Sequence, residues 1–291
     1  SMTNRRNMSA SPVSRRHLLL AMAGSGAVAT GLSSATSLFG STHEADLLDL
    51  NFAPDNLTAY LKMRGSLIDE QVAYLISGRV YAIVEKAAAQ PFFGIVGFQV
   101  SRYRRLSEDL SAAATHYFAI YTDLSTGQRA ERLNNPISGA NNVTPLSVYG
   151  PSEMFLTPSS MAFGSADNGL KATMSDVRAW ERTGDVVQIA DEIFAPAETE
   201  NLPDLDITAY RAQWSDVQNP ELNSIPCTMG FTAVEDWRDW MEMGDVEGSL
   251  LWHVTGHKMS TGEPLPNHFE EQVRAAAPEM LAPDWPPFSD L

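Results

Sequence analysis

The chain reads as mainly β, an antiparallel meander closing into a barrel or strongly curved sheet with a few short peripheral helices. Three observations carry that expectation. Phe92 to Pro136 spells three consecutive strands joined by two polar turns. Further short segments rich in β-branched and aromatic residues recur between Gly, Asn and Asp clusters up to Ala233. Finally, 291 residues with 44% hydrophobic content suffice for one large all-β domain with a real core.

In chain order, Leu57, Tyr60, Leu61, Leu67, Val72 and Leu75 fall close to helical spacing and are interrupted at Gly65-Ser66. This predicts two short helices, or a helix and a turn, over Asn56 to Ile76. Gly78 to Val84 is a strand. Ile95 to Tyr103 alternates with a period near two, and Thr115 to Tyr121 alternates ring and small side chains. The turn after the first contains Ser107-Glu108-Asp109, and the turn after the second is Asp123 to Gly127, whose glycine suits a positive φ. Leu133 to Asn142, dense in Asn, Pro and Gly, is a loop at a strand end. Strands follow at Val143–Val148, Glu153–Phe163, Leu170–Trp180, Val186–Phe194, Ile207–Val217 and Ser224–Ala233, with Ala195 to Asp206 an exposed excursion. Glu235 to Gly244 places Trp237, Trp240 and Met241 at i, i+3 and i+4, which predicts a short helix. Gly248 to Lys258 is the last strand, Phe269 to Ala277 a helix, and Ala282 to Phe288 a surface tail. A meander of this calycin-like or lipocalin-like kind has an interior that can hold a small molecule.

Residues 1–40 are set apart from the domain at 41–291. Ser1-Met2 reads as a cloning remnant, and Arg15-Arg16 precedes Leu18 to Leu20 and a weakly apolar Ala, Gly and Ser stretch. This is similar to a twin-arginine export signal and predicts a periplasmic or secreted protein. Its glycines and hydroxyl residues argue against a membrane anchor. The net charge is −16, and removal of the four arginines in residues 1–40 brings it to about −20. With no basic stripe, nucleic acid and anionic membrane surfaces are excluded as partners, while a homodimer is compatible with the sequence. The lone Cys227 excludes an intrachain disulfide and a thiolate metal cage, and is expected as a buried small hydrophobe. Serine-elbow, phosphate-loop, dinucleotide and His-Glu-x-x-His signatures are missing, so no cofactor is expected.

The candidate site residues come from the strands. Arg102 is a fixed cation late in an apolar strand, able to anchor a carboxylate or stabilise an enolate, or else to pair with one of many acids. Tyr117 and Tyr121 share one strand face with Ala119 between them, able to orient a ligand or simply to pack, whereas His116 has the opposite parity. His253 is a proton-transfer candidate or a structural histidine. A zinc shared by His253 and His257 is disfavoured, because i and i+4 on a strand lie about 13 Å apart. Asn135, Trp252 and Lys258 complete the ligand-binding set, and no metal site is expected. Asp176, Asp191 and Glu192 are further acids with nothing to distinguish them from a solvated face.

Gly97-Phe98-x-x-Ser101-Arg102-Tyr103, Tyr121-Thr122-Asp123-Leu124-x-Thr126-Gly127, Asn135-Pro136-x-x-Gly139, the Trp237 to Gly248 stretch, and Gly256-x-Lys258 before Leu265-Pro266 occur in that order. Together they resemble the bacterial DUF1838 family over most of residues 50–290. The resemblance implies the fold and export but no reaction. In that family an acid, a His and an Asn-Asp-Pro follow the Asn-Pro turn. Here Ala140 and then Leu146 to Pro151 stand instead, so any chemistry those residues perform is absent or done by others. The expected function is an exported small-molecule-binding barrel acting as a cofactor-free isomerase or lyase on a small hydrophobic or aromatic compound. Alternatives are a non-catalytic periplasmic carrier of a hydrophobic ligand and a partner-binding surface protein. An enzyme would show a titratable pair within hydrogen-bond reach inside the cavity, whereas a carrier needs only apolar walls with one polar anchor.

Overall fold

A computed structural model describes residues 47–84, 87–163, 170–173, 177–195, 204–285 and 287–288. The export-type stretch lies outside them. Helix α1 (Ala53–Arg64) is followed by the long strands β1 (Gln71–Val84), β2 (Gln90–Arg105) and β3 (Ser111–Thr122). A separate small hairpin, β4 (Arg132–Asn134) with β5 (Asn141–Val143), precedes β6 (Ser147–Leu156), β7 (Ser160–Phe163) and β8 (Leu170–Thr173). Next come β9 (Ala179–Thr183), β10 (Val186–Ala195), β11 (Asp204–Gln213), α2 (Trp214–Gln218), β12 (Thr228–Glu235), β13 (Gly248–Lys258) and α3 (Asn267–Ala276). Eleven strands form one antiparallel sheet in the order β8-β7-β6-β3-β2-β1-β13-β12-β11-β10-β9.

Two meanders therefore meet where the last strand, β13, pairs with the first, β1, from Tyr74–Lys258 to Val84–Gly248. The sheet curls far enough for β8, at one end, to come alongside β10, near the other. A Cβ on Gly78 would lie 2.3 Å from the His253 carbonyl oxygen, so glycine lets β1 and β13 coil closely here.

The concave face holds α1. Leu57, Ala59, Tyr60, Leu61 and Met63 are all fully buried, and even Lys62 and Arg64 are nearly so. A helix buried on all sides belongs inside a core rather than on a surface. It ends at Gly65, where a Cβ would sit 2.6 Å from the Tyr103 ring. On the convex face, Phe269 and Val273 of α3 pack on Phe98, Val100, Phe118 and Ile120. α3 over Phe118 and Ile120, together with Trp285 over His116 and Phe288 against Ala112 and Ala114, explains why β3 is buried along its whole length.

Several sequence expectations are corrected. Residues 71–76 are strand, because Val72 and Tyr74 alternate inward and the segment pairs on both sides. Residues 153–163 divide at a turn into β6 and β7, and 170–180 contains β8 and β9, which stand at opposite ends of the sheet. Residues 214–218 turn into α2. The stretch 235–244 keeps only one 3-10 turn, Asp239–Met241, since Glu235 is drawn into β12 and Glu242 takes a left-handed conformation. The tail lies on the surface, with Ala282, Asp284 and Pro287 exposed, and is anchored by Phe288, which packs with Ala112, Ala114 and Phe155.

Candidate functional site

The interior contains a cavity of about 40 Å³ lined by Arg64, Tyr74, Ile76, Ile95, Gln99, Tyr117, Thr208, Tyr210, Met229, Phe231, Trp252 and Val254. Strand parity brings them together. The cross-strand rank Thr208, Phe231, Val254, Gly78, Ile95 and Tyr121 faces inward, as does the next, from Tyr210 through Met229 and Gly256 to Ile76. Arg64 reaches the cavity from the end of α1 and is its one charged wall residue.

Arg64 belongs to a buried ion network. Its Nη1 donates to Tyr60 Oη and, at 3.2 Å, to Asp191 Oδ2, while Nε donates to Tyr103 Oη at 3.3 Å and Nη2 to the Met154 thioether at 3.7 Å. Asp191 also accepts from Tyr60 Oη at 2.5 Å and from Arg178 Nε at 2.9 Å. Arg64, Arg178 and Asp191 are each exposed by 2% or less, so two guanidinium groups share one carboxylate out of contact with water. The Arg178 guanidinium stacks 3.9 Å from the Tyr60 ring centre. Burial alone would pull the Arg64 pKa down, but Tyr210, Tyr60, Tyr103 and Asp191 reverse this and hold it well above its ordinary value. Burial raises the hydroxyl pKa of Tyr60, Tyr74, Tyr117 and Tyr210, leaving them neutral donors.

The residues expected from the sequence separate into three groups. Tyr117, Tyr121 and Trp252 point inward: Tyr117 stacks on Tyr149 at 4.8 Å, and Tyr121 packs 4.9 Å from Phe93. Arg102 and His253 lie on the convex face. Arg102 has the parity of Phe98 and Val100 and is bonded to Asp69 at 2.5 and 2.8 Å, while His253 is exposed. Neither reaches the cavity. His257, also on the outer face, bonds Glu263 at 2.6 Å. Asn135 and Lys258 form the third group and act on backbone. Asn135 Nδ2 contacts the Met241 carbonyl and Met243 sulfur, and its oxygen accepts from the Ile137 and Ser138 amides. Lys258 Nζ donates to the Lys62 and Gly65 carbonyls and Ser224 Oγ at the end of α1, and burial lowers its pKa to about 8. Cys227 is buried beside it and its thiol pKa is raised by that burial.

Sequence reasoning missed Arg64 and Arg178 and left Asp191 among undistinguished acids. The signals were periodicities. Arg64 stands at i+7 from Leu57 and i+4 from Tyr60, on the apolar stripe, and Asp191 shares parity with Val187 and Ile189. Among the described residues, no three His, Cys, Asp or Glu side chains gather as metal ligands.

Fold and site together define a curled antiparallel β-sheet protein whose helix-plugged interior holds a small tyrosine-lined cavity with Arg64 as its one charged wall residue. Residues 69–285 match the family described as "Protein of unknown function (DUF1838)", and the chain belongs to that family. The match takes in Arg178 and Asp191 and begins after Arg64. A search of curated proteins finds no match.

Proposed function

We propose that the interior binds a small organic anion, with its carboxylate on Arg64 and its apolar part against Ile76, Phe231 and Val254. The observation that carries this is the composition of the cavity wall: one guanidinium among neutral rings, an amide, a hydroxyl and hydrocarbon. A cation held in such low-polarity surroundings favours an anionic guest. The Nη2 group of Arg64 is spent on a thioether, a weak acceptor that a carboxylate would displace. The volume of about 40 Å³ compares with roughly 10–15 Å³ for one water and about 150 Å³ for a benzene-binding cavity. Acetate-sized compounds fit this interior as it stands; an aromatic guest requires it to widen.

Binding is favoured over turnover because the wall carries no His, Asp, Glu or Lys to move a proton near neutrality. The reading is therefore a carrier or sensor of that anion, working in the exported compartment that residues 1–40 address. Thermal unfolding with acetate, propionate and the neutral isostere acetamide tests it. The carboxylates should raise Tm in a saturable way while acetamide does not, with about 2.7 kcal/mol of stabilisation at a hundredfold excess over Kd. Arg64→Gln should lose the response. Equal responses to acetate and acetamide, or an unchanged acetate response in Arg64→Gln, would reject the anchor.

A further inference from the structure

Beyond Arg64, the cavity wall carries polar groups that the protein leaves unused. The Tyr74 hydroxyl is spent on the Met63 carbonyl at 2.8 Å. By contrast, the hydroxyls of Tyr117, Thr208 and Tyr210 and the side-chain oxygen of Gln99 have no hydrogen-bond partner among the described residues, although all four residues line the cavity. Gln99 is held by its other atom, Nε2, which donates to Ser101 Oγ at 3.2 Å.

Parity and register sort these groups into two sets. Thr208 and Tyr210 are two residues apart on β11 and share its inward face, and the Tyr210 ring centre lies 5.8 Å from the Arg64 guanidinium carbon. Their hydroxyls stand with the cation as donors to one anionic group. Gln99 and Tyr117 form the second set. They are directly opposed on β2 and β3, which puts their Cβ atoms about 4.5–5.5 Å apart. A Cβ on Gly97 would come 3.0 Å from the Tyr117 hydroxyl and 2.8 Å from Ile76, so glycine there lets that hydroxyl lie over β2 beside the cavity wall. Gln99 thus offers an acceptor and Tyr117 a donor. A ligand hydroxyl uses both at once, giving its hydrogen to Gln99 and taking one from Tyr117. A keto oxygen only accepts and leaves the Gln99 oxygen unmet.

The size of the cavity fixes where that hydroxyl sits on the ligand. About 40 Å³ is roughly three to four times the space of one water, so one compact molecule reaches all the walls and the hydroxyl belongs on the carbon next to the carboxylate. We infer that the guest of this interior is a short 2-hydroxycarboxylate, glycolate being the smallest, with its carboxylate on Arg64, Thr208 and Tyr210 and its hydroxyl between Gln99 and Tyr117. The inference rests on the Arg64 anchor and names the class of anion that the anchor takes.

Glycolate and acetate differ by that one oxygen, and their Kd values follow from the saturation of the Tm shift. The protein should bind glycolate about tenfold more tightly than acetate, the gain expected from two neutral hydrogen bonds. The better-bound enantiomer of lactate should likewise exceed pyruvate, which has the same carbon skeleton and no hydrogen to give Gln99. Tyr117→Phe keeps the ring that stacks on Tyr149 and should cut the glycolate-to-acetate ratio at least about threefold, as should Gln99→Leu. Tyr117→Phe decides alone should Gln99→Leu fail to fold. A saturable acetate response with no advantage for glycolate would overturn this inference and leave the anchor standing, whereas no response to either would overturn both. Pyruvate binding as tightly as lactate, or a glycolate advantage unchanged in Tyr117→Phe, would also overturn it.

Discussion

Asp191 carries most of the buried electrostatics, since both interior guanidinium groups depend on its carboxylate. Asp191→Asn keeps the shape and removes the charge, leaving Arg64 and Arg178 buried without a counter-ion. Breaking a buried pair from one side costs about 3–5 kcal/mol, and urea unfolding should show a loss of that order. The Arg64→Met, Asp191→Asn double variant should lose less than the sum of the single losses, because the two share one interaction. Additive losses would show that Arg64 and Asp191 are not coupled. At this scale the sequence was only half legible. Parity put Tyr117 and Tyr121 on the same inward face and His116 on the other, as the structure has them. Arg102 could not be oriented from its neighbours alone, because β2 is apolar on both faces: Phe98 and Val100 point at α3 while Ile95 points inward. Alternation reports a face only where the other face is wet.

At the scale of elements, α1 is the piece that converts an open curl into a filled one, and Lys258 seals its end by donating to the Lys62 and Gly65 carbonyls. The pKa of Lys258 is lowered by burial from 10.5 to about 8. Between those values the unfolded chain still holds a proton that the folded chain has released, so stability should rise with pH across the window. Below it the penalty is in full force. The buried tyrosines, whose pKa values are raised by burial, act in the opposite sense once pH passes their ordinary 10.0. The Lys258 contribution is therefore read as the difference in unfolding free energy between wild type and Lys258→Met from pH 8 upward. That difference should move in favour of wild type; a flat line would mean that the three acceptors fully offset burial. Element reading failed where tertiary contacts overrode local pattern. Residues 71–76 have apolar spacing that serves a helix or a strand, and pairing with β2 and β13 decides it. Residues 235–244 have a helical stripe, yet Trp237 Nε1 bonds the Val246 carbonyl and Asn135 holds Met241, which stretches the loop and lays Trp240 against Phe93 and Tyr121.

At the scale of the molecule, the curvature was legible because a meander with inward rings and closely spaced turns has few other ways to bury its face. What sequence could not show is how the ends of the curl are held, because that rests on one residue joining segments far apart in the chain. Arg178, fully buried just before β9, donates to the carbonyls of Thr157, Pro158 and Ser160 around the β6–β7 turn and to Asp191 on β10, while its own backbone exchanges hydrogen bonds with Asn56 on α1. Both halves of the sheet and the helix inside it thus meet on one residue, with no backbone ladder between β8 and β10 among the described residues. Arg178→Lys keeps the charge but loses the planar fork that reaches these partners together. The variant should remain folded and show faster amide exchange at residues 157–160 and along β10, with β1, β2, β3 and β13 protected as before. Equal acceleration in the central strands would mean that the seam is not a separate unit of stability. Protection unchanged everywhere would mean that packing of α1, and not Arg178, holds the curl shut.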